Sequence, residues 1–200
     1  MSFKTLLEPD EAMIPLLLQS SFKNFHTKGF EYLCLFRSPD YTIKMYIFEG
    51  DVAKLPEVVN PHDHRYKFNT LVLHGEMIDY RFQRSAIAGD TYQAFDYLTP
   101  LNGGNGFTFR GEERLMKTEA VRLFAEDTLL TSQHDLHTIQ MVGTQNVLIL
   151  EQFGDEIPID KPTSTWVRLG EPKPDLSGLY EKFTLGEFMD RLKWVKENLI

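Results

Sequence analysis

Over most of the chain, apolar positions alternate with polar ones or gather in short blocks rich in aromatic and β-branched residues. Only the two ends repeat with a helical period. Residues 8–25, EPDEAMIPLLLQSSFKNF, read as a helix that starts at Pro9 and its acidic neighbours, with Pro15 as a breaking point. In EKFTLGEFMDRLKWVKENLI, Phe188, Leu192, Val195 and Leu199 fall on one stripe, and Thr184 and Glu187 have capping-box spacing.

Between the ends, FEYLCLFRS and YTIKMYIFEG flank Ser38-Pro39-Asp40 and predict a hairpin. Seven further strand segments follow: FNTLVLHG, MIDYRFQRS, DTYQAFDYL, GFTFRG, EAVRLFAEDTLLT, LHTIQMVG and NVLILEQFG. Gly75, Ala88-Gly89-Asp90, NGGNG at 102–106, Gly143 and Gly154 punctuate them. Short strands in series with turn residues between them predict an antiparallel sandwich or barrel. The expectation is one mainly β domain over 1–200: a helical segment at 1–28, a barrel at 29–170 and a C-terminal helix at 171–200. NGGNG reads as a hairpin tip, because no helix follows it to make a phosphate loop.

Composition narrows the function. Hydrophobic content of 42% and charged content of 25% suit a folded globular chain. The net charge of -8 and the lack of a clustered basic run argue against nucleic acid as a partner. No apolar run approaches the roughly 20 residues that span a bilayer, and the N-terminus lacks the apolar centre of a signal peptide, so a cytoplasmic protein without a membrane partner is expected. The single cysteine, Cys34, lies in an apolar strand and reads as a buried, inert thiol.

The candidate chemistry lies in NPHDHRYKFNTLVLHGEM, residues 60–77. His62 and His64 stand two apart, a spacing that turns both imidazoles to one side of an extended segment. Such a pair either chelates a metal or is merely exposed; Asp63 and Arg65 beside it are solvent-loving.

PHDHRYKFNTLVLHG resembles the first motif of the cupin superfamily, His-x-His followed by a Glu and then a Gly. His62, His64 and Gly75 fit that spacing, while the Glu position holds Phe68. EDTLLTSQHDLH, 126–137, keeps the spacing of the second motif up to His137, with Glu126, Ser132 and His134 replacing its Gly, Pro and Gly. The resemblance implies a jelly-roll β-barrel whose mouth gathers His62, His64 and His137 into an all-nitrogen site. Neutral imidazoles suit Fe(II), Ni, Cu or Zn; Fe(II) is the expected metal, with Zn, Mn or Ni as alternatives. His134 is the rival third ligand, and His74 reads as a hydrogen-bonded core residue. His26 reads as surface.

Without the Glu, the motif is similar to that of the cysteine and other thiol dioxygenases. That implies a small organic acid or thiol as substrate, Arg37 as its carboxylate clamp, and Phe68, Tyr46 and Tyr66 as cavity walls. Arg37 reads equally well as a solvated turn residue. The Ser-x-His-x-Tyr triplet of that family is replaced by Ile149, Glu151 and Phe153. If its face is inward, Glu151 is a candidate general acid or base; if outward, it is an ordinary residue. A redox-neutral isomerase or lyase, and a metal-free binding module, are the competing readings. Pairing through sheets, and so a homodimer, is expected from fold analogy. Trp166 is expected to close a barrel end or pack a terminal helix.

Overall fold

The computed structural model describes residues 3–200. Eight antiparallel strands run in the order β1 (Phe30–Arg37), β2 (Tyr41–Glu49), β7 (Leu136–Asp155), β3 (Tyr66–Arg84), β5 (Gly106–Phe124), β4 (Asp90–Leu98) and β8 (Thr163–Arg168), with β6 (Thr128–Thr131) paired to β3. The mainly β, antiparallel expectation is met. Among the described residues no helix is long and apolar enough to cross a membrane.

Several expected short strands are halves of long ones. β3 has 19 residues and β7 has 20, because Gly75 and Gly143 are bends inside strands and not turns between them. Each long strand changes neighbours along its length. Residues 68–71 of β3 pair with β6, and 76–84 with β5. Residues 145–153 of β7 pair with β2, while His137 further up bonds to His62.

That last contact closes the sheet. His62 and His137 exchange N–H···O=C bonds at 3.0 Å in both directions, Trp166 N–H donates to Pro61 O, and Asp63 N–H donates to Ser164 O. The stretch 61–63 thus bridges β7 and β8, completing a ring through β3, β5 and β4. Closure satisfies backbone groups that an open edge would leave for other chains.

Two apolar clusters support the ring. Leu33, Met45, Ile47, Val147 and Ile149 belong to the larger one, which also takes in the C-terminal helix α3 (Leu185–Asn198) through Phe188, Leu192 and Val195. The Thr184–Glu187 capping box forms as the spacing predicts. The smaller cluster packs Phe82, Tyr92, Ala94 and Leu115 around Trp166, which closes that end of the ring and donates its indole N–H to Glu113 at 2.9 Å.

The N-terminal expectation is corrected. Instead of one long helix there are two short ones, α1 (Phe3–Leu6) and α2 (Ile14–Gln19), and Pro15 starts the second. Its fixed φ and missing N–H suit a first turn better than an interior. Residues 22 and 32 then exchange backbone hydrogen bonds, so the chain is strand-like before Phe25. The C-terminal expectation is also narrowed: 171–184 is irregular and runs over the mouth of the central cavity, where Pro174, Leu176, Leu179 and Tyr180 line it.

Gly75 fixes the bend in β3. Its φ is +84°, and a Cβ there would lie 2.2 Å from Asn146 Oδ1, which accepts the Glu76 N–H at 2.8 Å. Gly75→Ala therefore meets both left-handed backbone strain and the loss of a buried hydrogen bond, and is expected to cost on the order of 3 kcal/mol. Urea unfolding of the variant checks this; a change under about 1 kcal/mol would show that the bend tolerates a side chain.

Candidate metal centre

The ring encloses a cavity of about 1120 Å³. This is above the usual range of small-molecule sites. His62, His64 and His137 converge in its wall, each offering one ring nitrogen within 4.8 Å of the others. The His137 and His64 Nε2 atoms are 2.9 Å apart, and the His62 ring centroid is 4.6 Å from that of His64 and 5.1 Å from that of His137.

Each element has a local reason to deliver its histidine. Asp63 turns away between the two imidazoles, and its carboxylate accepts the Ser164 N–H at 2.6 Å. Arg65 donates to Pro158 O at 2.6 Å and Lys161 O at 3.0 Å, pinning the facing loop. Neither residue is simply solvated, as their charge suggested. His137 is oriented from behind: Asp79, 1% exposed, accepts its Nδ1–H at 2.6 Å. Arg81 pairs with the other Asp79 oxygen and reaches Asp135 at 2.7 Å. His62 Nδ1 bonds to Asn60 O at 2.9 Å. With both Nδ1 atoms committed to acceptors, Nε2 carries the lone pair of each ring, and that of His137 faces His64 Nε2 at 2.9 Å. Carboxylate or carbonyl support behind a histidine is the arrangement that holds a ligand's tautomer.

The electrostatics agree. Burial pushes the His62 imidazole down to about 3, with His137 adding repulsion, and burial likewise drives His64 well below its ordinary value. Neutral rings with free lone pairs are the form that binds a transition metal. The three nitrogens come from adjoining elements and could together hold an ion.

The remaining expected residues divide into two groups. Phe68 is buried, with its ring 4.7 Å from His64 and 6.0 Å from His137, and forms an apolar wall. Tyr46 and Tyr66 line the cavity, and Arg37 sits exposed at its mouth. His26, expected at the surface, is exposed, yet its ring lies 6.5 Å from that of His62. His134 is exposed and bonded to Gln133, and His74 is half-buried; neither joins the cluster.

Glu151 is corrected. It lies outside the cavity and accepts hydrogen bonds from Tyr41 and Asn69. It does share a face with Val147 and Ile149, but in this half of β7 the residues turned to the cavity are Leu148, Leu150 and Gln152. His137 and Ile139, of odd number, line the cavity in the other half. The irregular pairing between Val142 and Val147 shifts the alternation by one.

Two residues of the site escaped the reading. Asp79 could have been suspected as a carboxylate in an apolar strand block, MIDYRF. Lys44 is likewise a cation inside the aromatic strand YTIKMYIF.

No protein-family model matches the chain, and no curated protein matches it. Solved structures similar to it include a cupin superfamily protein from Desulfitobacterium hafniense, at 15% identity over 62% of this chain and 76% of that one, with a TM-score of 0.36. The hydroxypropylphosphonic acid epoxidase from S. wedmorenis is 14% identical over 66% of this chain, with a TM-score of 0.41; this chain spans about half of that one, 54%. The Cnp3 cupin domain of Schizosaccharomyces pombe is 9% identical over 64% of this chain and 67% of its own, with a TM-score of 0.37.

Two predictions arise from this geometry. Asp79→Asn cannot accept from Nδ1 with a full charge and should weaken zinc or cobalt binding by about 10- to 100-fold, measured by competition with a chelating dye. An unchanged affinity would mean that Asp79 does not orient His137. The second concerns pH. An unfolded histidine takes a proton near pH 6.5 and His62 only near 3, so the unfolded state binds more protons between these values. Metal-free protein should therefore keep its stability above about pH 6.5 and lose roughly 1.4 kcal/mol per pH unit for each such histidine as the pH falls toward 3. Urea midpoints at pH 7.5, 6.0 and 5.0 test this, and a flat profile would contradict it.

Proposed function

We propose that this chain is a metal-dependent enzyme that oxidises a small organic acid or thiol with dioxygen, using Fe(II) held by His62, His64 and His137. One observation carries the reading: three histidine nitrogens converge in the wall of a large cavity, and two of the rings are locked from behind by Asp79 and the Asn60 carbonyl. The donor set fits a divalent transition ion, being neutral and all nitrogen. Such an ion, when bound, supplies Lewis acidity and redox capacity beside open coordination positions.

The chain's own residues do the rest. Phe68 screens the imidazoles from water on one flank. Lys44 donates to the Tyr66 hydroxyl oxygen at 3.1 Å, which leaves the Tyr66 proton free to point into the cavity. Tyr66, its ring 5.6 Å from that of His64, takes the proton-handling role that Glu151 is too far round the strand to fill. Arg37 at the mouth offers a fork for a carboxylate. A homodimer and a cytoplasmic setting complete the proposal.

A redox-neutral isomerase or lyase using Zn, Mn or Ni is the second reading. It is favoured by the same set of neutral nitrogen donors, which does not demand a redox metal.

Metal content decides first. Wild-type protein, purified without an affinity tag, should carry about one transition metal per chain by plasma mass spectrometry, and His62→Ala/His137→Ala should carry almost none. Iron with oxygen uptake on thiol or acid substrates supports the oxidase reading; activity that persists without oxygen supports the second. Absence of metal even after anaerobic reconstitution would overturn both and leave a metal-free binding module.

A further inference from the structure

The β2 wall of the cavity carries a cation that the metal centre does not use. Lys44 is 5% exposed and lines the cavity. Its ammonium donates to Tyr66 Oη at 3.1 Å and lies 4.8 Å from the Tyr66 ring centroid and 5.4 Å from that of Tyr32. Among the described residues it forms no ion pair. Most acidic side chains around the cavity are engaged elsewhere: Asp79 with His137 and Arg81, Asp63 with Ser164, Glu57 with Arg168, Asp155 with Arg65 and Asp175 with Ser177, while Asp40 is exposed to solvent. A lysine ammonium has three N–H donors, and one is used.

A buried charge without a counter-ion is costly, and such groups are normally paired. The two tyrosine faces offset part of that cost through cation–π attraction. They do not supply an acceptor for the two remaining N–H groups. Those protons have only the cavity to address.

We propose that Lys44 is the recognition group for the anionic end of the substrate, a compact carboxylate, which it seats beside the three histidines. The inference rests on the reading of this cavity as the substrate site and names the substrate's charge class. Tyr66 connects the two features, with its hydroxyl on Lys44 and its ring 5.6 Å from that of His64. A carboxylate on Lys44 is thus a short chain away from the metal ligands. Thr42 is two residues from Lys44 on the same strand, lines the same cavity and pairs with Arg37, so a second cation stands on the outer side of the same subsite. Among the described residues Arg37 has no ion-pair partner either. One deep ammonium and one guanidinium at the mouth draw a carboxylate inward and hold it.

The test uses two thiols that differ in charge, 3-mercaptopropionate and 3-mercaptopropan-1-ol. Each is titrated into wild type, Lys44→Met and Lys44→Arg, both loaded with Co(II) and stripped of metal. The Co(II) absorption reads binding in the first form and ligand-observed NMR in the second. Wild type should prefer the carboxylate by about 10- to 100-fold in both forms, as one charge-assisted hydrogen bond implies. Lys44→Met should lose that preference while keeping its affinity for the alcohol and for Co(II), and Lys44→Arg should restore part of it. In wild type the Lys44 side-chain resonance should shift with the carboxylate and not with the alcohol, a readout that needs no variant to fold. No preference in wild type, or an undiminished one in Lys44→Met, would overturn the inference. Failure of Co(II) to bind would sink the metal reading alone, because the metal-free titrations and the Lys44 resonance still decide the role of the lysine.

Discussion

The two backbone hydrogen bonds between His62 and His137 do more than join a connecting segment to β7. Among the described residues they belong to the one bridge between β7 and β8, so the ring of strands and the cluster of imidazoles close at the same point. Antiparallel residues that exchange both bonds stand with their Cα atoms about 5.5 Å apart and their side chains on one face. His64, two residues along the same extended segment, is brought to that face by alternation. The cluster therefore needs no long-range arrangement of its own. Any change that opens the bridge separates the ligands and exposes an edge.

The cavity also separates charges by depth. The chain as a whole carries -8, yet the cavity is lined by imidazoles, by the ammonium groups of Lys44 and Lys182 and by the Arg37 guanidinium at the mouth. The Asp79 carboxylate stands against the His137 imidazole and is held between it and Arg81. Burial, which keeps His62 and His64 unprotonated, also strengthens the pull of Lys44 on an anion, since both effects follow from exclusion of water. The same desolvation thus favours lone pairs at one position and an anion site at another.

Much of this was legible in residues. Aromatic and β-branched blocks announced the strands, the stripe from Phe188 to Leu199 announced the final helix, and the spacing of His62 and His64 announced a shared direction. What failed shares a cause. Gly75 and Gly143 look like turn residues, but they mark bends within single strands, and a bend resets which residues face inward. Glu151 became a candidate through its place in the triplet, with its face left open, and nothing in the stretch pointed to Lys44. Pairing register is a property of two strands together, so a single strand's alternation could not reveal the shift. Asp79 was hidden for a different reason: its partner is 58 residues away, and only the ring brings them together.

The mix of success and failure bears on how the site is built. The histidine face depends on a His-x-His spacing, which can be read from a short stretch, and on the ladder bonds between His62 and His137, which cannot. The substrate face depends on β2, which reaches the cavity only through its pairing with β7. Lys44 stands opposite Leu150 and Thr42 opposite Gln152, so the shift that carries Glu151 outward is what turns Leu150, Gln152 and their β2 partners inward. The irregularity that ruled out one acid/base candidate thereby set a cation against the cavity. In this fold the histidines can stay where they are while a bulge in β7 decides which β2 residues face the cavity.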